Sequence, residues 1–197
     1  MRIGVLAIQG DFAEHIALLA ELGVNAQEIR LPDQLESLDG LIIPAGESTT
    51  LSRFMSIYGL REPIKQMAKE GRAIWGPCAG RIMLAKEITE QDPIPLDIMD
   101  IRVQRNAFGR QVDSFEQSLL VTSLNDGPFH GVFIRAPVII EVGEGVTVLA
   151  SQEDGRPVAV QQDSILATAF HPELTHDTRF HRYFMGISAP RYRTSAE

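Results

Sequence analysis

The single cysteine of this chain, Cys78, stands in Gly76-Pro77-Cys78-Ala79-Gly80, directly after the apolar residues Ala73, Ile74 and Trp75. A buried strand running into a tight turn, with small residues two positions either side of the apex, exposes a strained nucleophile and lets the next helix pack close. A thiol at that apex suits attack on a carbonyl carbon. The nucleophile needs a base, and of the five histidines (15, 130, 171, 176 and 181) His171 has the best setting, at the end of the apolar run Ile165 to Phe170 and inside Phe170-His171-Pro172-Glu173. Pro172 biases His171 toward extended backbone, and side chains two apart on an extended segment share a side. Glu173 can then reach back to the imidazole. Cys78, His171 and Glu173 fit the roles of nucleophile, general base and orienting carboxylate in acyl transfer.

Each residue has a plainer reading. A lone cysteine in apolar surroundings is usually a small buried hydrophobe, and a strand-end histidine can simply be satisfied by a carbonyl. The flanking glycines and the His-Pro-Glu sequence favour catalysis over both. His176 and His181 follow His171 at intervals of five, which does not stack ligands on one helical face, so no metal site is expected and both read as surface polar residues. Acyl transfer also requires donors for a developing oxyanion. The segment Pro44-Ala45-Gly46-Glu47-Ser48-Thr49-Thr50 supplies a glycine turn opening a helix, which makes the N–H groups of Gly46 and Ala79 the candidates. The plainer reading is that Ser48 only caps that helix.

The surrounding elements must bring these pieces together. Residues 2–8 form an apolar run, Phe12, Ile16, Leu19 and Leu22 recur at helical spacing, and strand-like stretches follow at 24–30, 38–44 and 72–76, with a second amphipathic helix through Leu60, Ile64 and Met67. This alternation predicts a single-domain α/β fold, a three-layer αβα sandwich around a mostly parallel sheet. Residues 87–95 read as a surface connection. Beyond them, short strands at 99–104, 115–122, 131–135, 137–142, 146–151, 157–162 and 165–170 are expected to add to the same sheet, antiparallel in part. A last helix near 178–185 precedes a polar tail, giving a domain over 1–187 and a tail over 188–197. In an open sheet of this kind ligands bind beyond the carboxyl ends of the strands, where both Cys78 and His171 fall.

Composition narrows the partners. A formal charge of −8 without a basic stripe argues against nucleic acid, and no apolar run approaches the roughly 18 residues of a membrane span. One cysteine forms no internal disulfide, and the N-terminus lacks signal-peptide features, so a cytoplasmic location is expected.

The chain resembles the class I glutamine amidotransferases, and within them most closely the glutaminase subunits of pyridoxal 5′-phosphate synthases. The resemblance rests on residues 4–12, 44–50, 76–80, 105–111, 133–137 and 170–181. It implies hydrolysis of L-glutamine to L-glutamate and ammonia through a glutamyl thioester on Cys78. It also implies a glutamine site lined by Gly46, Glu47, Ser48, Arg105, Ile134 and Arg135, and no cofactor of the chain's own. An arginine fork suits an α-carboxylate, although Arg105 and Arg135 read without the family as surface ion pairs. The ammonia must reach an acceptor site for which this chain has no room, so a separate synthase subunit is implied, a (β/α)₈ barrel of about 250 residues. Two positions depart from the family pattern: Pro77, where threonine is usual, and Arg81, where an apolar residue is usual. Arg81 could face a partner or pair with a carboxylate. A glutaminase serving another synthase, a peptidase or deglycase of the related cysteine-elbow superfamily, and a non-catalytic binding subunit remain open. The deglycase type places histidine immediately after the nucleophile, where this chain has Ala79.

Overall fold

The computed structural model describes residues 1–105 and 114–189. Residues 106–111 of the stretch that supports the family resemblance, and 190–197 of the polar tail, lie outside the described residues.

Seven strands form the central sheet: β1 (Ile3–Leu6), β2 (Gln27–Ile29), β3 (Gly40–Ile42), β4 (Ala73–Pro77), β10 (Thr147–Ser151), β11 (Pro157–Gln162) and β12 (Ile165–Thr168). Their order is β10-β11-β12-β4-β3-β1-β2. The block from β12 to β2 is parallel, and β10 and β11 extend it antiparallel. Side chains alternate across the sheet because successive residues of a strand point to opposite faces. Leu6, Leu41, Ile74, Ile165 and Ala167 face one core with α2 (Ser48–Ile57), α3 (Arg61–Lys69) and α4 (Ala79–Leu84). Ile3, Val5, Ile42, Trp75 and Leu166 face a second core with α1 (Phe12–Glu21) and α5 (Arg179–Ser188). This is the three-layer sandwich that the sequence pattern predicts.

The strand-rich half departs from expectation. Of the strands described in this half, only β10, β11 and β12 join the central sheet. Among the described residues, β5 (Ala85–Ile88), β6 (Met99–Gln104) and β9 (Val138–Val142) form a separate three-stranded sheet, and β7 (Ser114–Leu119) pairs with β8 (Phe129–Ile134) alone. β5 also occupies the start of the segment read as a surface connection. The alternating burial of β6, β7 and β8 fits sheets covered on one face, and such a pattern says nothing about which sheet a strand joins. β8 brings Phe129 and Phe133 against Phe170 and Phe180, fixing this small sheet beside the end of β12. Aromatic pairs of this kind contribute roughly 0.5–1.5 kcal/mol each beyond their area. α5 ends at Ser188, one residue beyond the predicted domain boundary.

Candidate active site

β4 and β12 are neighbouring parallel strands in register, with Pro77 opposite Thr168. Cys78 and His171 therefore emerge at the same edge of the sheet although far apart in sequence. The Cys78 N–H donates to Thr168 O at 2.9 Å, locking the elbow to β12. Cys78 itself has φ 44° and ψ −107°, a left-handed conformation that a non-glycine residue adopts only where its surroundings enforce it. Pro77 closes β4 without relaxing this geometry. The enforcing contacts involve the flanking glycines: a Cβ on Gly76 would lie 2.5 Å from the Gly80 carbonyl carbon, and one on Gly80 would lie 2.0 Å from Ile43 O.

His171 Nδ1 is 2.7 Å from Glu173 Oε1, and both side chains are buried. On the other side of the imidazole, Nε2 has no hydrogen-bond partner among the described residues. The Cys78 thiol instead donates weakly to Ile134 O, at 3.8 Å. Thiol and imidazole are thus close enough to interact but not aligned for a hydrogen bond. Burial opposes protonation of His171, yet the neighbouring Cys78 sulfur and Glu173 carboxylate outweigh it and hold its pKa up, to about 10. The stabilisation linked to this raised value is fully present below the ordinary histidine value of 6.5 and is lost as pH rises through about 10.

A cleft of about 490 Å³ opens beside Cys78 and His171. All six residues expected to hold glutamine, Gly46, Glu47, Ser48, Arg105, Ile134 and Arg135, line it, as does Ala79. Glu47 is the N-cap of α2, its carboxylate accepting from the N–H groups of Thr49 at 3.0 Å and Thr50 at 2.7 Å. Partial burial pushes the Glu47 pKa up, and these bonds more than reverse it, lowering it overall. Ser48, a cap on the plainer reading only, is the buried first residue of the helix. Arg105 Nη2 lies 3.3 Å from Glu47 Oε1, and its Nη1 donates to Asp92 O at 2.7 Å. Arg135 has φ 44°, a strained turn that sets Ile134 and Arg135 at the mouth of the cleft.

The turn before α1 interlocks with the glycine loop. Asp11 N–H donates to Ala45 O at 3.1 Å, and Glu47 N–H donates to Gln9 Oε1 at 2.9 Å. The Ala45–Gly46 peptide is trans, so its N–H points away from the carbonyl that Asp11 holds. Asp11 lines the cleft too, its carboxylate 3.9 Å from His171 Nδ1. Burial raises its pKa, partly offset by His171. Sequence reasoning gives Asp11 no role, although the Gln9-Gly10-Asp11 stretch carries part of the family resemblance.

Arg81 resolves differently from either expectation. It is fully buried and donates from Nη2 to the carbonyl of Pro137, while Nε and Nη1 have no hydrogen-bond partner among the described residues. Desolvation lowers its pKa to about 10, with Cys78 opposing the shift.

Two more histidines lie behind the His171–Glu173 pair. His15 on α1 and His181 on α5 are both 0% exposed, so the reading of His181 as a surface residue fails, whereas His176 is exposed as expected. The helical face that buries Phe180 and Phe184 buries His181 as well, a position that spacing from His171 does not reveal. Desolvation pushes the His181 pKa down to about 4, and desolvation together with His181 and His171 pushes that of His15 well below the ordinary value. Unfolded, both titrate near 6.5, so the unfolded chain binds more protons below that pH and stability falls as pH drops from 6.5 toward 4, by up to about 1.4 kcal/mol per unit per histidine. The urea midpoint is expected to fall over this range, and His181→Phe should flatten the fall relative to wild type. An unchanged slope would count against the buried neutral imidazole.

Among solved structures, one reported as a crystal structure of glutamine amidotransferase aligns with a TM-score of 0.90 at 50% identity, covering 95% of this chain and 99% of that one. The fold is thus that of a known class of amidotransferases. The chain belongs to the SNO glutamine amidotransferase family, whose model matches residues 5–188. It is similar to the pyridoxal 5′-phosphate synthase subunit PdxT of Herpetosiphon aurantiacus, 56% identical over 190 residues covering 95% of this chain and 100% of the relative. The subunit of the same name from Dehalococcoides mccartyi is 53% identical over 190 residues, covering 95% and 97%.

Proposed function

We propose that this chain is a glutaminase that hydrolyses L-glutamine to L-glutamate and ammonia and delivers the ammonia to a separate synthase subunit making pyridoxal 5′-phosphate. The observation that carries the reading is the strained Cys78 beside the buried His171–Glu173 pair, in a cleft lined by every residue expected to hold glutamine. Cys78 Sγ attacks the side-chain amide carbon, and the oxyanion that forms is received by the N–H groups of Gly46 and Ala79. His171 carries the thiol proton to the departing nitrogen, leaving a glutamyl thioester and ammonia. Water, deprotonated by His171, then releases glutamate and restores the thiol. Glu173 keeps the imidazole in the working orientation throughout. Arg105 and Arg135 at the cleft mouth suit the α-carboxylate of the substrate.

The names of the relatives support the partner, a synthase subunit that we take to be a (β/α)₈ barrel. Ammonia released into neutral water is protonated and loses its nucleophilicity, so a protected path to that subunit is required, and pyridoxal 5′-phosphate is a product of the assembly rather than a cofactor of this chain. We assign the amidotransferase domain to residues 1–187, with a polar tail after it, and a cytoplasmic location. No helix among the described residues is long and apolar enough to cross a membrane.

The test is glutamate release from glutamine with the synthase subunit present or omitted. Low release alone and several-fold stimulation by the synthase are expected. Equal turnover in both arms overturns the coupling, and no release in either arm favours a non-catalytic binding subunit.

A further inference from the structure

Glu173 has two carboxylate oxygens, and the triad uses one. Oε1 meets His171 Nδ1; Oε2 lies 3.5 Å from Nε2 of His15. Both of these latter atoms are buried and neither has a hydrogen-bond partner among the described residues, so the 3.5 Å approach is an electrostatic contact and not a formed hydrogen bond. His15 Nδ1 in turn lies 3.0 Å from His181 Nε2. The two imidazoles rest edge-on against Trp75, with ring centroids 5.5 Å and 5.0 Å away, three residues before Cys78. Helices α1 and α5, the 3₁₀ turn at Pro172–Leu174 and strand β4 thus converge on one buried polar line behind the catalytic pair.

The proton positions along this line follow from chemistry. Burial holds both imidazoles neutral, and a neutral imidazole has one N–H and one bare nitrogen. At the His15–His181 contact one ring must donate and the other accept. If His15 Nδ1 held the proton, its bare Nε2 would face a carboxylate oxygen, lone pair against lone pair in a buried site. If His181 Nε2 holds it, His15 presents an N–H to Glu173. Only the second arrangement makes every contact attractive.

We propose that His15 and His181 are positioning residues for the reaction: His181 Nε2–H donates to His15 Nδ1, and His15 Nε2–H faces Glu173 Oε2, holding the carboxylate from behind while it orients His171. Without His15, Glu173 Oε2 loses the N–H that faces it across 3.5 Å and has no hydrogen bond to replace it, a costly state for a buried carboxylate that weakens its hold on the His171 Nδ1–H. Neither imidazole touches substrate, and neither gains or loses a proton in turnover. The inference rests on the triad assigned above.

Its first test needs no activity. Nitrogen NMR of the full-length wild-type protein at neutral pH should show His15 and His181 both as Nε2–H tautomers, and a His15 Nδ1–H tautomer overturns the proposal. The second uses the complex with its synthase. His15→Leu should lower kcat for glutamate release roughly tenfold, about 1.4 kcal/mol, with KM for glutamine within twofold. His15→Gln, which keeps an N–H near the Nε2 position, should recover most of the loss. Equal losses in the two variants, or a His15→Leu loss that persists in full in a Glu173→Ala background, overturn it. Should Cys78→Ala retain activity, the triad itself fails, a result separate from the tautomer measurement.

Discussion

Cys78→Ala is expected to reduce glutamate release by about 10⁴-fold or more, in the presence of the synthase, while the protein stays folded and still binds glutamine. Losses of that size follow removal of the nucleophile from enzymes whose catalytic residues act as a unit. No other cysteine exists in the chain to substitute for it. Alanine keeps the same Cβ at φ 44°, so the elbow strain is unchanged, and the thiol it removes makes a long 3.8 Å contact with Ile134 O and an unaligned interaction with His171. Unfolding by urea should therefore shift little, and calorimetric titration should still register glutamine in the cleft. Turnover by the variant within tenfold of wild type would falsify the assignment of Cys78 as nucleophile.

The second large effect is structural. Gly80→Ala should destabilise the protein by about 2–3 kcal/mol, because the added Cβ would lie 2.0 Å from Ile43 O, a backbone atom that cannot move without displacing the end of β3. For a chain of this length such a loss lowers the melting temperature by roughly 5–10 °C. Activity should fall further than stability, since moving α4 away from β3 shifts the Ala79 N–H and the Cys78 thiol together, and misplacement by about 1 Å can cost about 100-fold in rate. Thermal unfolding and glutamate release on the same preparation check both. Gly71→Ala serves as the contrast: an added Cβ there would have no atom within 4 Å, and the φ of +72° leaves only local backbone strain.

Much of this site is legible before folding because its chemistry is carried by local motifs. Gly76-x-Cys78-x-Gly80 is a sterically dictated turn, and His171-Pro172-Glu173 spaces a base and its carboxylate on one short segment, so the 2.7 Å contact between them is a near-neighbour interaction. The apolar runs of β1, β3 and β4 and the amphipathic helices between them are equally local, and from them the parallel αβα core follows. The sheet to which β5 to β9 belong does not follow, because a half-buried strand has the same period whichever neighbour it pairs with. Ser48 suits a cap by residue type, but the cap is Glu47, whose longer side chain reaches two N–H groups at once.

The amino-acid sequence by itself determined the family and singled out Cys78, His171 and Glu173 as the proposed nucleophile, base and orienting carboxylate, with the segments proposed to hold glutamine, since each is written in residues close together along the chain. The tertiary structure alone decided what surrounds them. The register of β4 against β12 sets Cys78 beside His171; Gln9 and Asp11 tie down the glycine loop; Arg81 turns inward to Pro137 O; and His15 and His181, 166 positions apart, meet behind Glu173. These contacts join elements distant in sequence, and burial rather than residue type turns His181, surface-like in sequence, into a neutral partner of the buried His15.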